Sequence, residues 1–218
     1  MKSQYILFAY SMKYVKKKLE MLLEKLEKPS LLDPSKEQYV TPSSIASDML
    51  WYAYQKGDIK DKKVVDFGCG NGILAIGSAL LGAKETIGID IDEEMIKLAE
   101  RNAKKMNVRA RFLKMDVQQF SEKCDVVIMN PPFGAQFANR GADKKFLEKA
   151  METAGIVYSL HLKEGIEFIR KIVEKNNFSF SVIREYKFPI KASMPFHRRK
   201  IAYFDVALIN ARIKFAIQ

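Results

Sequence analysis

Lys63-Val64-Val65-Asp66-Phe67-Gly68-Cys69-Gly70-Asn71-Gly72-Ile73 decides the fold of this chain. Lys63 to Phe67 reads as a strand, and a helix follows from Ile73 to about Leu81. Between them, glycines at 68, 70 and 72 permit a tight turn and a close approach of the backbone to a ligand. A second strand, Glu85 to Ile89, ends in Asp90. Strand, glycine loop, helix, strand and acid in this order make a nucleotide-binding βαβ unit, in which Asp90 is placed to accept hydrogen bonds from a ribose.

Glycine spacing alone does not identify the nucleotide. A G-x-G-x-x-G pattern from Gly68 fails at Ile73, whereas the looser G-x-G-x-x-A pattern fits Gly70, Gly72 and Ala75. Asp66 is more discriminating. A pyrophosphate beside this carboxylate meets repulsion, while the ammonium of a methionine moiety is attracted. Asp-x-Gly-x-Gly therefore suits S-adenosylmethionine better than a dinucleotide.

Further along, a helix is expected from Glu93 to Met106 and a strand from Ala110 to Met115, ending in Asp116-Val117. Asp116 either accepts from an adenine amino group, with Val117 packed on the ring, or caps the short segment that follows. The apolar run Cys124-Asp125-Val126-Val127-Ile128-Met129 is a buried strand that delivers Asn130-Pro131-Pro132-Phe133. The two prolines stop further pairing. An amide, a rigid backbone and an aromatic ring suit a site for a flat polar ring, although a proline-stopped strand with a core Phe has the same sequence. All these polar residues fall at strand ends, where ligands bind in an open parallel sheet.

Before the glycine loop, Val15, Leu19, Leu22, Leu23 and Leu26 give an amphipathic helix that ends before Pro29, and residues 1–11 read as an extension or a misplaced start before Met12. Ile45, Met49, Tyr52 and Ala53 stripe a second helix, for which Thr41 or Ser43 is the expected cap. After Phe133, Gly134 to Gly141 reads as a mobile loop. A helix over Phe146 to Ala154, a strand over Ile156 to Leu160 and a helix over Lys163 to Lys175 follow. Strands at Phe178 to Ile183 and Ala202 to Asn210 have no helix between them, so they are expected to pair antiparallel. The loop Lys187 to Lys200 between them is basic and aromatic, suited to holding phosphates and meeting bases; its RNA-binding candidates are Lys191, His197, Arg198, Arg199 and Lys200. The fold expected is α/β, with seven mostly parallel strands, an antiparallel last strand and helices on both faces.

The chain has 218 residues, 48% hydrophobic and 29% charged, which fits a globular protein. No stretch approaches membrane-spanning length. Two cysteines make neither a disulfide framework nor a zinc spacing and suit a reducing cytosol. Thirty-seven basic against 26 acidic residues, a net charge of +11, favour a polyanionic partner. His161 and His197 have no metal-ligand companions; His161 reads as a strand-end packing or hydrogen-bonding residue.

Asp66 to Gly72 with Asp90, Asp116 and Asn130 to Phe133 resembles the Rossmann-like class I S-adenosylmethionine-dependent methyltransferases that act on exocyclic or amide nitrogen. Glu37-Gln38-Tyr39-Val40-Thr41-Pro42, Ile89-Asp90-Ile91-Asp92-Glu93, Val157-Tyr158-Ser159-Leu160-His161 and Phe196-His197-Arg198-Arg199-Lys200 narrow the resemblance. They are similar to the methyltransferase-like family that forms N6-methyladenosine in small-subunit ribosomal RNA. The resemblance implies one methyltransferase domain over 29–218, preceded by an extension and helix over 1–28. It implies Gln38 and Thr41 closing over the cofactor, Gly68, Gly70, Asn71 and Ile73 at its methionine end with Asp66, Asp90 at the ribose, and Asp116 with Val117 at the adenine. Asn130 and Pro131 would accept from a target amino group, Pro132 would stiffen the turn and Phe133 would stack on the base, with no catalytic metal. It also implies a cytoplasmic enzyme and a small zinc-binding activator subunit as partner. Guanine-N2 methylation of rRNA, glutamine-N5 methylation of protein and a silent RNA-binding assembly factor are the alternatives. The basic loop disfavours a protein substrate, and the intact tetrapeptide disfavours a silent protein.

Overall fold

The computed structural model describes residues 14–29, 39–133, 141–191 and 201–214. Helix α1 covers residues 14–23. Then come α2 (Ser43–Gln55), β1 (Lys63–Phe67), α3 (Ile73–Leu80), β2 (Glu85–Asp90), α4 (Glu93–Lys105), β3 (Arg111–Lys114) and β4 (Cys124–Met129). The second half holds α5 (Ala142–Thr153), β5 (Ala154–Leu162), α6 (Ile166–Lys175), β6 (Phe178–Lys191) and β7 (Ile201–Ile213). The seven strands form one sheet in the order β3-β2-β1-β4-β5-β7-β6. β1 to β5 are mutually parallel, and β7 runs antiparallel between β5 and β6. This is the expected class I methyltransferase sheet with its antiparallel last strand.

Strand alternation sends the core to two sides. Val64, Val126, Ile128, Tyr158 and Leu208 meet Leu19, Leu23, Met49, Leu50, Leu74 and Ile76 from α1, α2 and α3. Val65, Phe67, Val127, Met129, Val157 and Ile209 meet Leu147, Ala150, Ile169 and Val173 from α5 and α6. Because β1 and β4 are covered on both faces, their sequences are almost continuously apolar.

Four expectations need correction. Neither Thr41 nor Ser43 caps α2: its N-cap is Pro42, with no side-chain cap hydrogen bond, and Ser43 is its first residue. α5 starts at Ala142, not Phe146, because its first turn has no buried residue and carries no apolar periodicity. β5 runs two residues further at each end than expected and follows α5 with no intervening loop. Lys187 to Lys191 is not loop: it extends β6 and pairs with residues 201–205, Lys187 opposite Asp205 and Phe188 opposite Phe204. β6 lies at the sheet edge, where Pro189 is tolerated in a strand. Phe188 is fully buried and faces the core rather than a base. Gly134 to Arg140 and Ala192 to Lys200 lie outside the described residues, as do the extension and Gln38.

Candidate active site

Backbone geometry at the end of β1 is set by the glycines. Gly68, Gly70 and Gly72 have φ of 70°, 51° and 83°, a region that other L-residues rarely adopt. Gly72 precedes the first residue of α3, and Gly68 faces Phe146, whose ring would lie 3.2 Å from an added Cβ. The loop is tied to β2, since Cys69 N donates to Ile89 O at 2.8 Å and Gly70 N donates to Asp90 Oδ2 at 2.9 Å. Asp90 Oδ1 accepts from Asp92 N at 2.9 Å. Each Asp90 oxygen keeps a second lone pair for a ligand hydroxyl. Burial raises the Asp90 pKa above the usual carboxylate value, only partly offset by these backbone donors.

Asp66 sits beneath this loop at 1% exposure. Its Oδ2 accepts from Ala75 N in the first turn of α3 at 3.0 Å, while Oδ1 is buried without a partner among the described residues. Burial pushes its pKa up to about 8. Such an orphaned buried acceptor fits a cationic ligand group, because an adjacent positive charge restores the ionised form.

The loop, both acids and the end of β4 enclose a cavity of about 310 Å³. Of the cofactor candidates in the described residues, all of Thr41, Asp66, Gly68, Gly70, Asn71, Ile73, Asp90, Asp116 and Val117 line it. The structure thus gathers them into one site. Asp116 has the expected cap role, its Oδ1 accepting from Gln118 N at 2.9 Å at the head of the 3-10 turn Val117–Gln119, and it also lines the cavity. Asn71 has a further task. Its Nδ2 donates to Glu27 O at 3.0 Å, alongside Asn102, which donates to both Glu27 O and Asn71 O and accepts from Glu27 N. These bonds fasten the chain leading to Pro29, itself on the cavity wall, to the glycine loop.

At the end of β4, Asn130 and Pro132 line the cavity. Asn130 Nδ2 donates to Thr41 Oγ1 at 3.0 Å, and Asn130 Oδ1 is buried without a partner among the described residues. The Pro131 and Phe133 side chains are buried. The Phe133 ring, 6% exposed, stacks on Tyr39 at 6.2 Å and 23° and meets Phe188 edge-on at 5.6 Å. Tyr39, not Phe133, is the ring of this cluster that faces the cavity.

Sequence reasoning missed Tyr39, Ile91, Met95, Met115, Ala142 and Phe146 as cavity residues. Ile91 gave a usable signal: a large apolar side chain directly after the β2 acid, 65% exposed. His161 lies in β5 with neither ring nitrogen hydrogen-bonded among the described residues, Nδ1 standing 4.0 Å from Asp143 Oδ2, and burial holds it neutral, with its pKa lowered to about 3. Among the described residues no cluster of His, Cys, Asp and Glu could hold a metal ion. No helix among them is long and apolar enough to cross a membrane. Lys191 lies in β6, and its side chain, with His197, Arg198, Arg199 and Lys200, is outside the described residues.

Comparison with known proteins agrees with this geometry. The family profile of ribosomal protein L11 methyltransferase matches residues 47–131, which hold the βαβ unit and end at Pro131. The rRNA N(6)-adenosine-methyltransferase METTL5 of Danio rerio is 36% identical over 204 residues, covering 89% of this chain and 97% of that protein. Its Drosophila melanogaster counterpart, Mettl5, is 37% identical, covering 87% and 92%. The crystal structure of a candidate RNA methyltransferase from Pyrococcus horikoshii superposes with a TM-score of 0.85 at 37% identity, covering 92% of this chain and 98% of that one. With the orphaned acceptor of Asp66 and the paired acids at the strand ends, the chain is an S-adenosylmethionine-dependent methyltransferase and belongs to the METTL5 family.

Proposed function

We propose that this enzyme methylates the N6 amino group of an adenosine in ribosomal RNA, in the small subunit. The observation that carries the reading is the Asn130 amide. Its nitrogen donates to Thr41, and its oxygen is a buried acceptor with no partner among the described residues, in a residue that lines the cofactor cavity. An exocyclic amino group offers two N–H donors. Asn130 Oδ1 accepts one, and the Pro131 carbonyl accepts the other. Pro131 and Pro132 hold this pair of acceptors rigidly.

S-adenosylmethionine, when bound, supplies an electrophilic methyl group and leaves as the thioether. The chain's own residues position the reactants. Asp66 holds the ammonium, Asp90 the ribose and Asp116 the adenine amino group. The two acceptors turn the N6 lone pair toward the methyl group. N6 gains a carbon, the bonding pair of the broken bond stays on sulfur, and one N6 proton passes to solvent after transfer. An amino nitrogen conjugated with its ring is a weak nucleophile, so orientation and preorganised acceptors supply most of the rate. The target base must leave its stack to reach this depth. It rests against Tyr39, which is backed by Phe133.

Charge supports a nucleic-acid substrate, through the excess of basic residues and the loop from Lys191 to Lys200. The names of the relatives support adenosine in rRNA. A small zinc-binding activator subunit and a cytoplasmic location complete the proposal. Labelled methyl transfer to unmodified ribosomal RNA, followed by nucleoside analysis, tests it. N6-methyladenosine is expected, and N2-methylguanosine as the product sinks the adenine assignment.

A further inference from the structure

Residues 39–41 grip the turn after β4 at two points. Thr41 Oγ1 accepts from Asn130 Nδ2 at 3.0 Å, and Tyr39 stacks on Phe133. Tyr39, Thr41 and Asn130 all line the cavity. Thr41 is 6% exposed, so its hydroxyl is largely withdrawn from water.

A hydroxyl carries one proton and can donate or accept, whereas an amide presents a donor on one side and an acceptor on the other. A contact between Thr41 and Asn130 therefore has two possible senses. If the hydroxyl donates to the amide oxygen, the NH2 group is left for the substrate and opposes an amino group donor to donor. If the amide nitrogen donates to the hydroxyl, the oxygen is left as an acceptor. The structure has the second arrangement, with Asn130 Oδ1 buried and unpartnered among the described residues. That sense is fixed when the Thr41 proton is committed elsewhere. A hydroxyl already donating can only accept from Asn130. Thr41 lies on the wall of a cavity built for a cofactor with a carboxylate, an acceptor of the required kind.

We infer that Thr41 is a positioning residue: it locks the Asn130 amide with its oxygen toward the target amino group, and a carboxylate-bearing cofactor strengthens the lock by taking the Thr41 proton. Cofactor binding thereby prepares the acceptor before the nucleotide arrives. The inference rests on the reading of Asn130 as the amino-group acceptor.

The test compares Thr41→Val, which removes the hydroxyl at nearly constant volume, with Thr41→Ser, which keeps it. Single-turnover transfer at saturating cofactor should fall about ten- to a hundred-fold in Thr41→Val, with KM for RNA moving less than about threefold, and recover most of its rate in Thr41→Ser. A second readout needs no turnover. The Asn130 side-chain amide resonances, followed by nitrogen-15 NMR, should shift on adding S-adenosylhomocysteine to wild type and to Thr41→Ser, but not to Thr41→Val. Wild-type transfer by Thr41→Val, equal losses in Val and Ser, or the same amide response in all three proteins overturns the inference. Asn130→Ala separates the two levels. If it transfers normally, the reading of Asn130 falls and the inference with it; if it is inactive while Thr41→Val is fully active, only the inference falls.

Discussion

Replacing Asp66 with asparagine tests the electrostatics of the cofactor cavity. The carboxyl is almost fully buried, with one oxygen accepting from Ala75 N and the other unpartnered. Burial dominates, against the Ala75 hydrogen bond and with a smaller contribution from Asp90, and pushes the pKa from 3.8 to about 8. That displacement corresponds to roughly 6 kcal/mol against the charged form, as an order of magnitude. At pH 6.5 the free protein therefore holds this proton. A ligand ammonium beside Oδ1 favours the carboxylate, so the proton leaves as the ligand enters. Calorimetric titration with S-adenosylhomocysteine at pH 6.5, in two buffers of different ionisation enthalpy, should report about one proton released per ligand. Asp66→Asn should release none and bind about a hundredfold more weakly, the loss expected when one partner of a buried charge pair is removed. The sign for stability follows from the same displacement. Without cofactor, the folded state keeps the proton up to about pH 8 while the unfolded chain loses it near pH 4, so stability falls as pH rises across that window. Asp66→Asn should lack this decline. Binding heats for wild type that do not depend on the buffer would refute the reasoning, because Asp66 would then carry the same charge with and without ligand.

Asn130→Ala should abolish transfer while S-adenosylhomocysteine affinity, measured by calorimetry, stays within a few-fold; a large loss of affinity would give Asn130 a cofactor role instead. Gly68→Ala places a Cβ at φ 70° and 3.2 Å from Phe146, so it should cost about 1–2 kcal/mol and lower Tm by a few degrees. It should also weaken cofactor binding, and an unchanged Tm and affinity would mean that the loop relaxes freely. His161, held neutral with a pKa near 3, makes the fold lose stability as pH falls from about 6.5 toward 3, because only the unfolded chain takes up the proton. Denaturant melts at pH 4.5 and 7 should show His161→Gln losing about 3 kcal/mol less than wild type over this interval. Asn102→Ala strands Glu27 N and leaves Glu27 O and Asn71 O each one donor short, so unfolding should become easier by about 2–4 kcal/mol. A melt unchanged from wild type would show that water replaces the amide.

The parts of the site that were legible in the sequence are those whose geometry is covalently local. Gly68 to Gly72 lies between a strand and a helix, and Asp90 and Asp116 follow their strands within two residues, so a period of two and a turn signal locate them. The position of β7 was not legible. Adjacency of two strands in the chain indicates an antiparallel pair but does not say that the last strand is inserted between β5 and β6. Phe188 was misread because Pro189 beside it looks like a break, whereas an edge strand tolerates proline and its neighbour still turns inward. Phe133 was expected to stack on a base but does not line the cavity, since the Tyr39 that stacks on it comes from a different part of the chain. The Thr41–Asn130 bond spans 89 positions and the Asn71–Glu27 bond 44, and no local pattern encodes such pairs.

Those two long-range bonds also separate scaffold from chemistry. Asn102 uses its amide completely: its oxygen accepts from Glu27 N, and its nitrogen donates to Glu27 O and Asn71 O. A buried amide satisfied on both sides fixes its neighbours and has nothing left to offer a ligand. Asn130 uses only its nitrogen. The same side chain, here only half-buried at the end of β4, is left with a buried oxygen whose desolvation costs about 1–3 kcal/mol unless something donates to it. Asp66 shows the same asymmetry, with one oxygen bound to the helix and one bare. In both residues one half is spent on the fold, which holds the group still, and the other half is kept for a donor that comes from outside the chain. On the proposed reading the missing partner of Asp66 is a cation, whose charge would restore the carboxylate that burial disfavours. On the same reading, the missing donor for Asn130, uncharged and at the end of β4, is an amino group.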